Sequence, residues 1–290
     1  MKSGKAVAII SLTLLMLTWG SAFVVSKSIV ERIPPIFFAL IRHILASVIM
    51  LSVVGLRRSR GIRREAPGWG IVTLMGLTSI TFYYIFYNLG LYYTTASQGA
   101  LIQSSTPAIT AALAVVVLHE RVTRKRFAGL ALSIIGVLLV VGSAIPSGEA
   151  RNPLWGTLLM CGTVIAWSIY TIAAKRAANS DQLLLATMST TIGTILLIPP
   201  AIWEGWGKPL PHVAGREWLA IGYLAAVVSA GGYLIYNRAL RELDAHQVIN
   251  FTNLVPIIAV IAAVVFLGES IVPLQVVGGT VVLIGVWLAS

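Results

Sequence analysis

Apolar residues run along this chain in blocks far longer than the core of a water-soluble domain needs, and polar residues gather in the short gaps between the blocks. A bilayer core is crossed by about 20 apolar residues in a helix. Runs of that kind, bounded by charge or by Pro and Gly, fall at roughly 6–26, 36–56, 69–91, 97–118, 127–143, 154–174, 183–203, 217–238, 246–267 and 273–289. They are too long and too uninterrupted for barrel strands. The pattern therefore predicts an all-α polytopic membrane protein with ten transmembrane helices. Met1-Lys2 and the first run also imitate a secretory signal, with Gly20-Ser21-Ala22 as the small-residue region. The repeat described below needs that first helix retained.

Composition agrees. Of 290 residues, 57% are hydrophobic and 11% charged, against about 25% charged in soluble domains. The formal net charge is +11, but the bases sit in the gaps rather than on one face or tail, so no nucleic-acid partner is expected. Lys2, Lys5, Arg57, Arg58, Arg60, Arg63, Arg64, Arg121, Arg124, Lys125, Arg126, Lys175, Arg176, Arg238 and Arg241 flank the N-terminus and the even-numbered connections. The odd-numbered connections hold only Lys27, Arg32, Arg151, Lys208 and Arg216. That asymmetry predicts both termini in the cytoplasm of a multi-pass plasma-membrane protein. Cys161 is the one cysteine, the histidines lack metal-ligand spacing, and no phosphate loop or catalytic set is present. No enzyme activity, metal or cofactor is expected.

A shift of 149 residues brings the chain onto itself. Tyr87-Asn88 meets Tyr236-Asn237, Ala96 meets Ala245, and Gln98 meets Gln247. Pro107 meets Pro256, Glu120 meets Glu269, Gly129 meets Gly278, and Gly136 meets Gly285. At a shift of 148, Trp19 meets Trp167 and Lys27 meets Lys175. Two units result, residues 1–148 and 149–290, each of five helices. An odd number per unit puts the units in opposite orientations, an arrangement that recurs in secondary transporters. The base-rich stretch after Glu120 has lost every Lys and Arg in its counterpart after Glu269, as a change of membrane side requires.

Trp19-Gly20-Ser21-Ala22-Phe23, Pro35 with Arg42, Tyr93-Thr94-Thr95-Ala96-Ser97, Pro107, Glu120-Arg121, Gly129 and Gly136-Val137 form an ordered set. By them the chain resembles the ten-helix EamA-like branch of the drug/metabolite transporter superfamily, and within it the YddG-type exporters. The resemblance implies export of amino acids, aromatic and other small ones, by alternating access, with other drugs or small metabolites as the alternative cargo. It departs in the second half, where Gly268-Glu269-Ser270 replaces Glu120-Arg121, so the halves are not chemically equivalent.

Polar groups inside spans should face a cavity or another helix, because lipid cannot satisfy them. Tyr83, Tyr84, Tyr87 and Asn88 on helix 3 and Gln98 and Gln103 on helix 4 line one half. Tyr233, Tyr236, Asn237, Gln247, Asn250 and Asn253 on helices 8 and 9 line the other. Trp19 with Phe23, and Trp167 with Tyr170, offer paired aromatic surfaces on helices 1 and 6 for an apolar side chain or an ammonium. Arg42 and His43 lie well inside helix 2, where a guanidinium suits a substrate carboxylate. Pro107 and Pro256 stand near mid-span, where they bend their helices. The competing expectation is ordinary packing: interhelical hydrogen bonds, interfacial Tyr and Trp, and a snorkelling Arg42. Lys27 and Lys175 are expected as interfacial anchors, and Glu120 and Glu269 as ties to the next helix. Glycines on helices 5 and 10 suit close packing, between halves or between protomers of a monomer or weak dimer.

Overall fold

The computed structural model describes residues 2–59, 68–118, 124–143, 150–177, 180–207, 209, 211–236 and 251–289. Glu120, Asn237, Gln247 and Asn250 lie outside them. The described residues are helical almost throughout. Among the described residues, seven helices are long and apolar enough to span a membrane, and three shorter apolar ones bring the number to ten. We number them by span: α1 Lys2–Val30, α2 Pro35–Ser59, α3 Trp69–Tyr93, α4 Ala96–Gln103 continued as Thr106–Leu118, and α5 Arg124–Gly142. The second five are α6 Pro153–Arg176, α7 Gln182–Gly205, α8 Gly215–Tyr236, α9 Leu254–Leu267 and α10 Pro273–Ala289.

The irregularities recur with the sequence repeat. A wide π turn interrupts α3 at Leu77–Phe82 and α8 at Leu224–Gly231. Helix α4 breaks at Ser104-Ser105, and at the position 149 residues on, Asn253 interrupts the start of α9. Pro107 is therefore the second residue of a new helix rather than a bend in a continuous one, a position that tolerates its missing N–H. The carbonyl that this N–H would have reached, on Gln103, instead accepts the Thr106 hydroxyl at 2.6 Å. Pro256, buried, is the third residue of α9, likewise within its first turn.

The glycines of α5 and α10 meet inside one chain. A methyl group on Gly136 would lie 2.6 Å from the Val282 amide nitrogen, and one on Gly285 would lie 2.5 Å from that of Ser133. With little hydrophobic drive between helices in lipid, such backbone-to-backbone approach is a main source of cohesion.

Acidic side chains fasten helix starts at a distance in sequence. Glu204, at the end of α7, accepts the amides of Ile36 and Phe37 in the first turn of α2, both at 2.9 Å. Glu269, after α9, accepts those of Ala96 and Ser97 in α4, at 2.7 and 2.9 Å. Each carboxylate satisfies orphan N–H groups and meets the positive end of a helix dipole. Glu269 thus ties back to the other half of the chain, not forward to α10. Arg57 and Asp181 pair at 2.6 Å between the end of α2 and the start of α7. Burial pushes the Asp181 carboxyl up, but the Arg57 hydrogen bond and the amides of Leu184 and Leu183 outweigh it and leave it below the usual carboxylate range.

Candidate functional site

The two π turns rotate the helix faces that follow them, and those faces carry the tyrosines. From α3, Tyr83, Tyr84 and Tyr87 project toward α1, α2 and α6. Tyr83 stacks on Tyr87 with centroids 5.7 Å apart and an 11° interplanar angle. Phe23 of α1 meets Tyr87 edge-on at 5.3 Å. Trp167 of α6 lies 5.2 Å from Tyr83 and 5.0 Å from Tyr170. Gln103, the last residue before the α4 break, donates to the Tyr83 hydroxyl. On the far side, Trp19 lies 5.6 Å from Tyr236 of α8 and donates through Nε1 to the Val228 carbonyl at 3.2 Å. Trp19, Tyr83, Trp167, Tyr170 and Tyr236 all keep part of their surface accessible.

Arg42 enters this aromatic group from α2. It is 2% exposed, so it does not snorkel. Its guanidinium lies 4.8 Å from the centre of the Tyr84 ring, and Nε and Nη2 both donate to the Ser229 hydroxyl at 3.1 Å. No carboxylate among the described residues pairs with it. A cation–π contact and one hydroxyl offset only part of the cost of burying a cation. His43, also fully buried, packs its ring 4.0 Å from Tyr84. Its Nδ1 contacts the Ala39 carbonyl at 2.8 Å; a carbonyl only accepts, so Nδ1 carries the proton. The buried Nε2 has no partner among the described residues.

Of the residues singled out from the sequence, the structure brings Trp19, Phe23, Arg42, His43, Tyr83, Tyr87, Gln103, Trp167, Tyr170 and Tyr236 together. Asn88 is placed elsewhere: its Nδ2 donates to the Pro35 carbonyl at 2.9 Å, tying α3 to the first turn of α2, while its Oδ1 has no partner among the described residues. Asn253 stands at the interruption before α9 without a side-chain capping bond. Ser229 went unnoticed because one serine in an apolar helix carries no signal; only the α8 π turn brings it to Arg42. Lys27, read as an interfacial anchor, is 5% exposed and donates to the Leu91 carbonyl at 2.8 Å while pairing with Glu31 at 3.3 Å.

Ten apolar helices around a partly open aromatic group, with a buried cation that no carboxylate among the described residues pairs with, give the architecture of a multi-pass membrane protein. A model of the EamA-like transporter family matches the chain twice, over residues 6–142 and 154–290. The chain belongs to the EamA-like transporter family. It is 29% identical to the uncharacterised transporter YyaM of Bacillus subtilis, over 93% of this chain and 89% of that protein. It is 30% identical to a protein of Streptantibioticus cattleyicolor named a probable terminal-alkyne amino-acid exporter, over 100% of this chain and 95% of that one. A solved crystal structure shares the fold with a TM-score of 0.69 and 17% identity, covering 99% of this chain and 98% of its own.

Proposed function

We propose that this transporter exports amino-acid-like solutes across the plasma membrane by alternating access, with both termini in the cytoplasm. The units 1–148 and 149–290 rock against each other about a site framed by α1, α2, α3, α6 and α8. Arg42 holds the solute carboxylate, and Tyr83, Tyr87, Trp167 and Trp19 hold its side chain. The observation that carries this reading is the buried Arg42 guanidinium with no carboxylate partner among the described residues. A substrate carboxylate would supply the missing counter-charge and make a charge-assisted pair. The printed name of the Streptantibioticus relative, an amino-acid exporter, supports the same cargo class.

The test is transport of labelled amino acids into and out of proteoliposomes containing the purified chain, compared with the matching decarboxylated amines. Saturable counterflow of the amino acids and weak movement of the amines is expected. Equal movement of both would remove the carboxylate from the mechanism. Movement of another metabolite class alone would leave a carrier with a different cargo.

A further inference from the structure

A second concave site lies away from the aromatic group, at the end of the molecule where α3 begins and α4 and α6 end. It is a partly open cleft of about 310 Å³ between those three helices. Its wall is apolar, built by Ile71, Leu74, Leu113, Ile169 and Ile172, and its single charged lining residue is Arg176. Arg176 is the last residue of α6, exposed at the mouth. One of its guanidinium nitrogens, Nη2, donates to the Val117 carbonyl at 3.1 Å, at the end of α4. That bond ties the exposed guanidinium to the end of α4 beside the cleft. Trp69, 70% exposed at the start of α3, marks the same level, as interfacial tryptophans do.

An apolar slot in a membrane-spanning chain, capped at the boundary by one fixed cation, has the chemistry of a lipid site. Basic pockets between transmembrane helices bind anionic head groups. The net charge of +11, with Arg60, Arg63 and Arg64 in the sequence between α2 and α3, adds complementarity to an anionic lipid rather than to a zwitterionic one. We infer that this cleft binds one anionic glycerophospholipid, an acyl chain lying along Leu74 and Ile172 and the phosphate on Arg176.

The purified full-length chain, delipidated in detergent, is incubated with an equimolar mixture of dioleoylphosphatidylglycerol and dioleoylphosphatidylcholine, and retained lipid is counted by native mass spectrometry. One phosphatidylglycerol per chain is expected, favoured about fivefold over phosphatidylcholine, the gain expected from one base near an anionic surface. Arg176→Gln should retain both lipids equally. Leu74→Trp, which fills the slot and leaves the cation, should retain neither. Arg124→Gln, a base at the start of α5 outside the cleft, should behave as wild type. An unchanged preference in Arg176→Gln, retention by Leu74→Trp, or loss of preference in Arg124→Gln would overturn the inference.

Discussion

The two tryptophans, Trp19 and Trp167, occupy matching places in the two stretches that the family model matches, yet their surroundings differ. Trp167 lies against two rings, Tyr83 and Tyr170. Trp19 lies against one ring, Tyr236, and is fixed by a hydrogen bond to a backbone carbonyl. The residue 149 positions after Tyr83 is Gly232, and a methyl group there would come within 2.8 Å of the Trp19 indole nitrogen. So one stretch fills the space with a tyrosine and the other leaves it to the backbone. The cation is one-sided as well: Arg42 belongs to α2, while α7 carries Thr190 and Thr191 at the matching positions. Repetition reproduces the π turns and the broken helices. Departures from repetition set the chemistry apart, and the proposed solute, with a carboxylate at one end and a side chain at the other, would need two such unlike walls.

That contrast can be broken at Arg42 first. Arg42→Gln should raise the KM for carboxylate-bearing solutes in proteoliposomes by about 10- to 100-fold, the range for losing a hydrogen bond to a charged group. The amines should change by far less. A uniform loss would assign Arg42 to holding α2 against α8 through Ser229.

The two glycine contacts come next. Gly285→Ala forces a methyl group onto the backbone of Ser133, where neither helix can yield, and should cost about 1–3 kcal/mol in the stability of the detergent-solubilised protein. Gly232→Ala meets a side chain instead. The indole can shift by giving up its bond to the Val228 carbonyl, so the cost should be smaller in unfolding temperature and appear mainly in transport. If Gly232→Ala proves the more destabilising of the two, Trp19 is part of the packing core and not of a mobile wall.

Glu269→Gln keeps the shape of the cap but removes its charge, and should lower stability by about 0.5–1 kcal/mol, read as a reduced unfolding temperature. A neutral result would leave Glu269 outside the bonding that joins the halves.

The smallest effect belongs to pH. The folded Asp181 carboxyl titrates below its ordinary value, so its pairing with Arg57 stabilises the protein above the ordinary carboxylate range. That contribution fades as pH falls through the depressed pKa. Asp181→Asn should therefore lower the unfolding temperature at neutral pH and flatten its decline on acidification. A parallel decline in both proteins would assign the acid sensitivity to other carboxylates.

The ten helices were legible because lipid imposes a crude rule: each crossing must hide its backbone and present some twenty apolar residues. The aromatic and basic site candidates were legible for the same reason, since Tyr83, Trp167 and Arg42 stand where a lipid-facing helix would not place them. The relation of Pro107 to Pro256 showed in the repeat, but the form of the disturbance did not. A proline in an apolar run is compatible with a bend or a break, and here the Thr106 hydroxyl satisfies the Gln103 carbonyl that Pro107 frees beside a two-residue turn. Lys27 also escaped the pattern: a lysine at a span end suggests an anchor at the interface, and only α3 beside it supplies the Leu91 carbonyl that holds it inside.

Sequence alone determined how many times the chain enters the membrane and which side chains could not have been left to lipid, because hydrophobic length and the cost of a buried charge are local properties. Which of those side chains face one another was decided only by the tertiary structure. Arg42 and Ser229 are 187 residues apart in the chain and meet because a π turn in α8 rotates one helix face against another, a matter of angle that no linear pattern records.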